Sequence, residues 1–200
     1  SDYSPNAGWA DYYGNEDFFK AYPNDDRKEW NYMTEWKIKS GEIIPYTESA
    51  DKLPAISKYY DYDEGAPGKS AQSNGITCIY RYAEVLLMYA EASTRATNSV
   101  NQDALNAIQE VQKRAGYQDR QIELTTTTEP TAFLAAVSNE RGWEFFAEMK
   151  RWFELVRLEK VKEVRAEEWD ASTFNTNHHY YFPVPYQQVD LAGWTNNAGY

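Results

Sequence analysis

Three glutamates, Glu140, Glu144 and Glu148, recur at intervals of four residues, with Arg141, Arg151 and Arg157 set among them. Paired carboxylates are the reagents of glycoside hydrolysis, one serving as acid and the other as base or nucleophile. That chemistry needs one carboxyl in an apolar pocket that raises its pKa. Here each glutamate has an arginine within about one helical turn, which favours the ionised form. The spacing reads as a structural ladder of ion pairs, and no residue of the chain is assigned a catalytic role.

A different chemistry is available in the first residues. Tyr3, Trp9, Tyr12, Tyr13, Phe18 and Phe19 follow no helical or strand period, and Asn6, Asp11 and Asn15 are interleaved with them. A flat ring covers the apolar face of a sugar and leaves its hydroxyls to amides and carboxylates. Trp9, Tyr12, Tyr13, Asn6, Asp11 and Asn15 are therefore the candidate ligand-binding residues. An arc of such rings suits a curved oligosaccharide. An equal reading has the same rings packing on an N-terminal portion outside this stretch rather than on ligand.

The remaining reactive groups carry less. Cys78 is one cysteine and cannot form an intrachain disulfide; it reads as a small hydrophobe before a helix. His178 and His179 are adjacent rather than four apart, so a shared metal is not expected, and no cofactor is implied. The alternating carboxylates of Asp61, Asp63 and Glu64 before Gly65 have the look of a calcium loop but lack its full signature, and a solvated acidic turn is the expectation.

What must position these groups is a chain of 200 residues, 42% hydrophobic and 16% aromatic, enough to bury a sizeable core. Its formal charge is −11, which repels phosphates and excludes nucleic acid as a natural partner. No apolar run approaches the roughly 20 residues of a membrane-spanning helix. Residues 1–75 are irregular and rich in turn residues, with one hairpin expected from 35–39 and 43–47 around Ser40-Gly41. Residues 76–165 are helical. Tyr82, Val85, Leu86, Tyr89, Ala90 and Ser93 form the expected inward stripe of a first helix over 82–96, with Leu86 in the core. Asn101 caps a second helix over 101–115, striped by Ala104, Leu105, Ile108, Val111 and Ala115 and stopped by Gly116. The short link makes the two an antiparallel pair. Thr128 is the expected cap of a long third helix that runs on toward Arg157, loosened or broken at Gly142. Tyr82, Tyr89, Trp143, Phe146, Trp152 and Phe153 are expected in the core. Residues 166–200 form an extended C-terminal tail, since Pro183 and Pro185 keep their predecessors out of the helical region.

The order of these segments resembles the SusD/RagB family. Residues 80–92, read as YRYAEVLLMYAEA, resemble the family's first signature helix, and ALNAI at 104–108 with Arg114-Ala115-Gly116 its second. Glu140-Arg141, Glu144, Glu148 and the run RWFELVR at 151–157 resemble its third. Phe182-Pro183-Val184-Pro185 and the closing Asn196-Asn197-Ala198-Gly199-Tyr200 resemble its terminal motif, and Asp26-Arg27 and Lys58-Tyr59 match weaker upstream points. Gly142 and Met149 depart from the usual residues.

The resemblance implies a mainly α fold: a tetratricopeptide-like helix hairpin and a long third helix wrapped by an irregular, loop-rich subdomain. It covers only the C-terminal portion of the family. The family's lipidated cysteine and N-terminal tetratricopeptide-like helices lie outside this stretch, so the isolated chain is expected to self-associate or to need the segment that lies outside it. It further implies a non-catalytic protein of the outer-membrane surface, lipid-anchored at full length. Such a protein captures an oligosaccharide for a SusC-like TonB-dependent transporter. The alternatives are RagB-type peptide capture and, from another class, a glycoside hydrolase.

Overall fold

A computed structural model describes residues 12–38, 40–59, 76–164 and 174–200. It divides into two compact units, 1–148 and 149–200.

The first unit opens with two short helices, α1 (Glu16–Ala21) and α2 (Asp26–Asn31), each started by a side-chain cap. Asn15 accepts a bond from the Phe18 amide, and Asp25 one from the Arg27 amide. Two small antiparallel pairs follow. Strand β1 (Tyr32–Met33) pairs with β4 (Ala55–Ile56), and β2 (Glu35–Lys37) pairs with β3 (Ile43–Pro45) across the Ser40-Gly41 turn. The second pair is the expected hairpin; Gly41 sits at φ +92, which a glycine adopts without strain.

The irregular region has an aromatic core of its own. Phe18 and Phe19, read equally as facing a ligand or as packing on an N-terminal portion, both enter it. Phe18 stacks on Phe146, and Phe19 meets Tyr32 and Tyr46 edge-on. Tyr22 lies against Tyr32 and Trp143, and its hydroxyl donates to the Trp143 carbonyl at 2.7 Å while accepting from Asn31. Phe18 and Tyr22 thus fasten the irregular segment to residues 143–146.

The helical part is α3 (Tyr82–Thr97), α4 (Gln102–Arg114) and α5 (Pro130–Glu144). One cluster joins all three: Leu87 and Ala90 from α3, Leu105, Ile108 and Val111 from α4, Phe133 and Val137 from α5. As expected, Asn101 caps α4 by accepting from the Ala104 amide, and Gly116 follows it in the left-handed region. Between α3 and α4, Asn98 turns the chain at φ 47, in the conformation asparagine tolerates best after glycine.

Three expectations about these helices need correction. The stripe of α3 is displaced by one position. Leu87 is fully buried, Leu86 only partly so, and Tyr82, Val85 and Tyr89 face outward. The cap of α5 is Glu129, not Thr128: its carboxylate accepts from the Thr131 and Ala132 amides, and Pro130 fills the first position, where no amide partner exists. Gly142 does not interrupt α5, which stops at Glu144; the chain then turns through Ala147 and Met149, both at positive φ.

The second unit comprises α6 (Arg151–Arg157), α7 (Val161–Val164), α8 (Thr176–His179) and α9 (Tyr186–Ala192). Leu155 and Val161 are buried, whereas Phe153, expected in the core, is exposed. The tail expected to be extended over 166–200 instead carries α8 and α9; residues 182–185 are neither helix nor strand, and α9 follows directly on Pro185.

Candidate functional site

Burying a charge requires a partner and further hydrogen bonds for its remaining atoms. Glu140 and Glu144, on the last turn of α5, and Glu148 just beyond it meet that requirement with cations drawn from four separate segments. Arg27, in the first turn of α2, forks between Asp25 at 2.6 Å, Glu140 at 2.7 Å and Glu144 at 2.9 Å. Arg81, the residue before α3, reaches Glu144 at 2.6 Å and Glu148 at 2.7 Å. Lys58 reaches Glu148 at 2.6 Å, and Arg114, at the end of α4, contacts both Glu144 oxygens. Glu140 completes its shell with Tyr117 at 3.0 Å and Gln112 at 3.2 Å. Four carboxyl groups therefore face four cations.

This arrangement explains how α3 starts. Arg81 makes no side-chain cap bond, and a cation at a helix N-terminus opposes the macrodipole. The guanidinium turns instead to Glu144 and Glu148 and lies 4.9 Å over the Phe145 ring.

The glutamates of the ladder are ion-paired, but not with the partners assigned to them. The arginines within a turn do not carry it: Arg141 lies 3.8 Å from Glu84, and Arg151 lies 3.6 Å from Glu154. The cations come from sequence separations of 30 to 117 residues. Neither is every glutamate simply held ionised. Burial pushes the Glu140 carboxyl up, against Arg27, Gln112 and Tyr117. Burial works the same way on Glu144, where Arg114, Arg81 and Arg27 overcome it and hold the carboxyl below its ordinary range. Glu148 is likewise held low, burial being outweighed by Arg81 and Lys58.

The one sequence signal that could have found these partners was present. Arg27, Lys58, Arg81 and Arg114 all lie in the motifs that carry the family resemblance, as do the three glutamates. The motifs, scattered along the chain, meet in one buried cluster.

The proposed ligand residues fall in a different place. Asn6, Trp9 and Asp11 lie outside the described residues, as does the acidic turn at 61–65. Asn15 is committed to capping α1. Tyr12 is 83% exposed. Tyr13 is half-buried, and its hydroxyl donates to Asp51 at 2.8 Å. Tyr13 stands opposite Ala55 in an antiparallel bridge, and Ala55 stands opposite Met33 in the β1–β4 pair. Directly opposed residues share a face, so Tyr13, Ala55 and Met33 form one short strip. Asp51 is held at its end by a tight turn in which Ser49 accepts from the Lys52 amide and donates to the Tyr46 carbonyl. Asp51 and Met33 were not among the residues picked from sequence, because only strand register brings them beside Tyr13. Gly14, the next residue, has room for no side chain: a Cβ there would lie 2.5 Å from the Tyr32 ring and 3.2 Å from the Pro54 carbonyl.

Of the other groups, Cys78 is exposed rather than packed before α3. Tyr82 and Tyr89 are exposed rather than in the core, whereas Trp143, Phe146 and Trp152 are partly buried. Among the described residues, no helix is long and apolar enough to cross a membrane, and no group of three metal-binding side chains gathers.

A helix pair joined to a third helix, with an irregular aromatic subdomain tied to them by a buried charge cluster, is the architecture of one class of helical proteins. The SusD family model matches residues 3–200, and the chain belongs to that family. SusD-like protein P2 of Formosa agariphila is 28% identical over 200 residues, covering 90% of this chain and 39% of that protein. The chain thus spans about two fifths of that relative's length. A SusD superfamily protein from Parabacteroides distasonis superposes with a TM-score of 0.71 at 25% identity, over 94% of this chain and 42% of that one. A laminarin-binding SusD-like protein shares the fold, with a TM-score of 0.69 at 19% identity, over 97% of this chain and 39% of its own.

Proposed function

We propose that the protein to which this chain belongs captures an oligosaccharide at the outer-membrane surface without catalysis. It hands the glycan to a SusC-like TonB-dependent transporter, and the full-length protein is held at the membrane by a lipid anchor. In this reading the three parts 1–75, 76–165 and 166–200 are portions of one SusD-like domain. The observation that carries the non-catalytic half is the state of the glutamates. Glu140 is fully buried, and Glu144 and Glu148 are each engaged by at least two cations. A glycosidase needs a protonated carboxyl that can reach a substrate.

Support for the binding half comes from the laminarin-binding neighbour and from the rings at the chain's start. Tyr12 is open to solvent, and Tyr13 offers a ring whose hydroxyl is fixed by Asp51. Trp9, Asn6, Asp11 and Asn15 complete the proposed ligand loop. Exposed stacking contributes only about 1 kcal/mol per ring, so affinity is expected to be weak. It is also expected to be nearly insensitive to salt, because a neutral glycan makes no ion pairs.

Calorimetry on the full-length protein with laminarin and a panel of soluble glycans tests this. A Trp9→Ala/Tyr12→Ala/Tyr13→Ala triple variant should lose binding, while incubation of the native protein with the same glycans should release no products. Unchanged affinity in the triple variant would remove the loop from the site. Affinity that collapses with added salt would favour the peptide reading.

A further inference from the structure

Residues 181–185 have an unusual hydrogen-bonding problem. Pro183 and Pro185 carry no amide proton, so the segment cannot keep a regular strand ladder, and its remaining backbone groups, on a largely exposed segment, are left to water or to side chains. Three of those groups are taken by side chains from one short stretch downstream. Asn196 accepts from the Val184 amide at 2.8 Å, Asn197 donates to the Phe182 carbonyl at 2.6 Å, and Tyr200 donates to the Tyr181 carbonyl at 3.0 Å.

The downstream stretch is shaped for this. The Asn196 side chain also accepts from the Asn197 amide at 2.8 Å, and the Tyr200 amide donates to the Asn197 carbonyl at 3.2 Å. Gly199 sits at φ +96, and a Cβ there would lie 2.7 Å from the His178 ring. The Tyr200 ring meets His178 edge-on at 4.3 Å between centroids. Helix α9 lies between the two stretches and ends at Gly193, which turns the chain at φ +66.

We infer that residues 196–200 are a strap that closes over residues 181–184 and holds that segment in a single conformation. Side chains of the strap take the place of a partner strand that the prolines forbid. The rings of Tyr181 and Phe182 remain exposed, because the strap grips the backbone rather than the side chains. The device stands independently of the glycan reading, since every contact in it lies within the second unit.

Hydrogen exchange on the full-length protein reads the strap directly at the Val184 amide. Asn196→Ala removes the acceptor, and Val184 should exchange roughly three- to tenfold faster, the equivalent of one net hydrogen bond. Asn196→Asp keeps an acceptor oxygen and should restore protection. Chymotryptic cleavage after Tyr180 and Tyr181 should rise in the alanine variant and not in the aspartate one. The amides of Leu87 and Ile108, in the first unit, report whether the rest of the chain is intact. If Asn196→Ala does not fold, Tyr200→Phe decides: it keeps the ring on His178 and removes only the bond to Tyr181, so cleavage after Tyr181 should rise. Unchanged Val184 exchange in Asn196→Ala, or unchanged cleavage in Tyr200→Phe, would overturn the strap.

Discussion

On α3 the side turned toward α4 and α5 carries Glu84, Leu87, Ala90, Glu91 and Thr94, whereas the opposite side carries Tyr82, Val85, Met88 and Tyr89. Two carboxylates are inside, and two tyrosines with two apolar side chains are outside. On α4 the division is the ordinary one, with Ala104, Leu105, Ala107, Ile108 and Val111 buried and only Gln112 as a polar companion. The difference lies in where each helix places its charged side chains. Helix α4 keeps them off its inward face and meets the charged end of α5 only through Gln112 and Arg114 at its own end, whereas α3 carries Glu84 inward, 3.8 Å from Arg141. An inward face here is defined by having a partner, not by being apolar.

The largest effect should come from breaking the charged interior where most of it converges. Glu144 meets Arg27, Arg81 and Arg114. Glu144→Gln leaves three guanidiniums facing a neutral amide, and breaking a buried pair costs about 3–5 kcal/mol. Denaturant unfolding should show that loss, while glycan affinity in the intact protein stays the same. A collapse of affinity with unchanged stability would move the cluster into the binding site.

Acid should act on the same cluster with a definite sign. Glu144 and Glu148 are held below the ordinary carboxyl value of 4.5, so their stabilisation is present above that pH and fades as the pH falls through it and below. Glu140 is pushed the other way, so its contribution rises as the pH falls. Glu144 and Glu148 each answer to at least two cations, and if these pairs govern, the urea midpoint should drop below about pH 4.5. The drop should be shallower in Glu144→Gln, which removes one of the two. A midpoint that rises on acidification would mean that Glu140 governs.

The two sides of α3 can be compared within one helix. Leu87→Ala should cost about 2–5 kcal/mol, as truncation of a fully buried side chain does. Val85→Ala, at a site 57% exposed, should stay within about 0.5 kcal/mol in this chain. Similar losses at the two positions would mean that the outward face is covered.

Periodicity could not have chosen between those faces. Residues 85–90 are apolar without interruption, so a stripe can be drawn along several sides. What breaks the tie is Glu84 and Glu91, seven residues apart on one face, and hydropathy sends that face to solvent. Where the pattern was unambiguous the reading held: the stripe of α4, the Asn101 cap, and the hairpin around Ser40-Gly41. The ion pairs were beyond any local window, since Arg27 and Glu144 are 117 residues apart. The strip around Tyr13 was half visible. Tyr13 stood out as one ring in an aromatic loop, but its neighbours Asp51 and Met33 reach it only through a bridge to Ala55. The break after α5 had no signal at Gly142 because Gly142 is buried within the helix; the turn is made by Ala147 and Met149, residues that rarely adopt positive φ.

The smallest effect should come from an ion pair of the same chemistry placed in water. Arg120 meets Asp26 at 2.8 Å and Glu29 at 2.9 Å, geometry as good as that of Arg27. Its side chain is 37% exposed, however, and those of its partners are 50% and 64% exposed. Solvent screens such a pair, and ordering long side chains offsets most of what remains. Arg120→Ala should therefore leave the thermal midpoint unresolved from the native value, and added salt should not change that outcome. Arg27→Ala, which leaves Asp25 and Glu140 buried without their guanidinium, should instead lose much of the cooperative transition. Asp26 sharpens the comparison, because its backbone amide donates to the Ala115 carbonyl at 3.1 Å while its side chain takes Arg120. Asp26→Ala keeps the first bond and loses the second, so it should behave like Arg120→Ala. A large loss in Asp26→Ala with none in Arg120→Ala would show that the carboxylate serves the turn at Gly116 rather than the arginine.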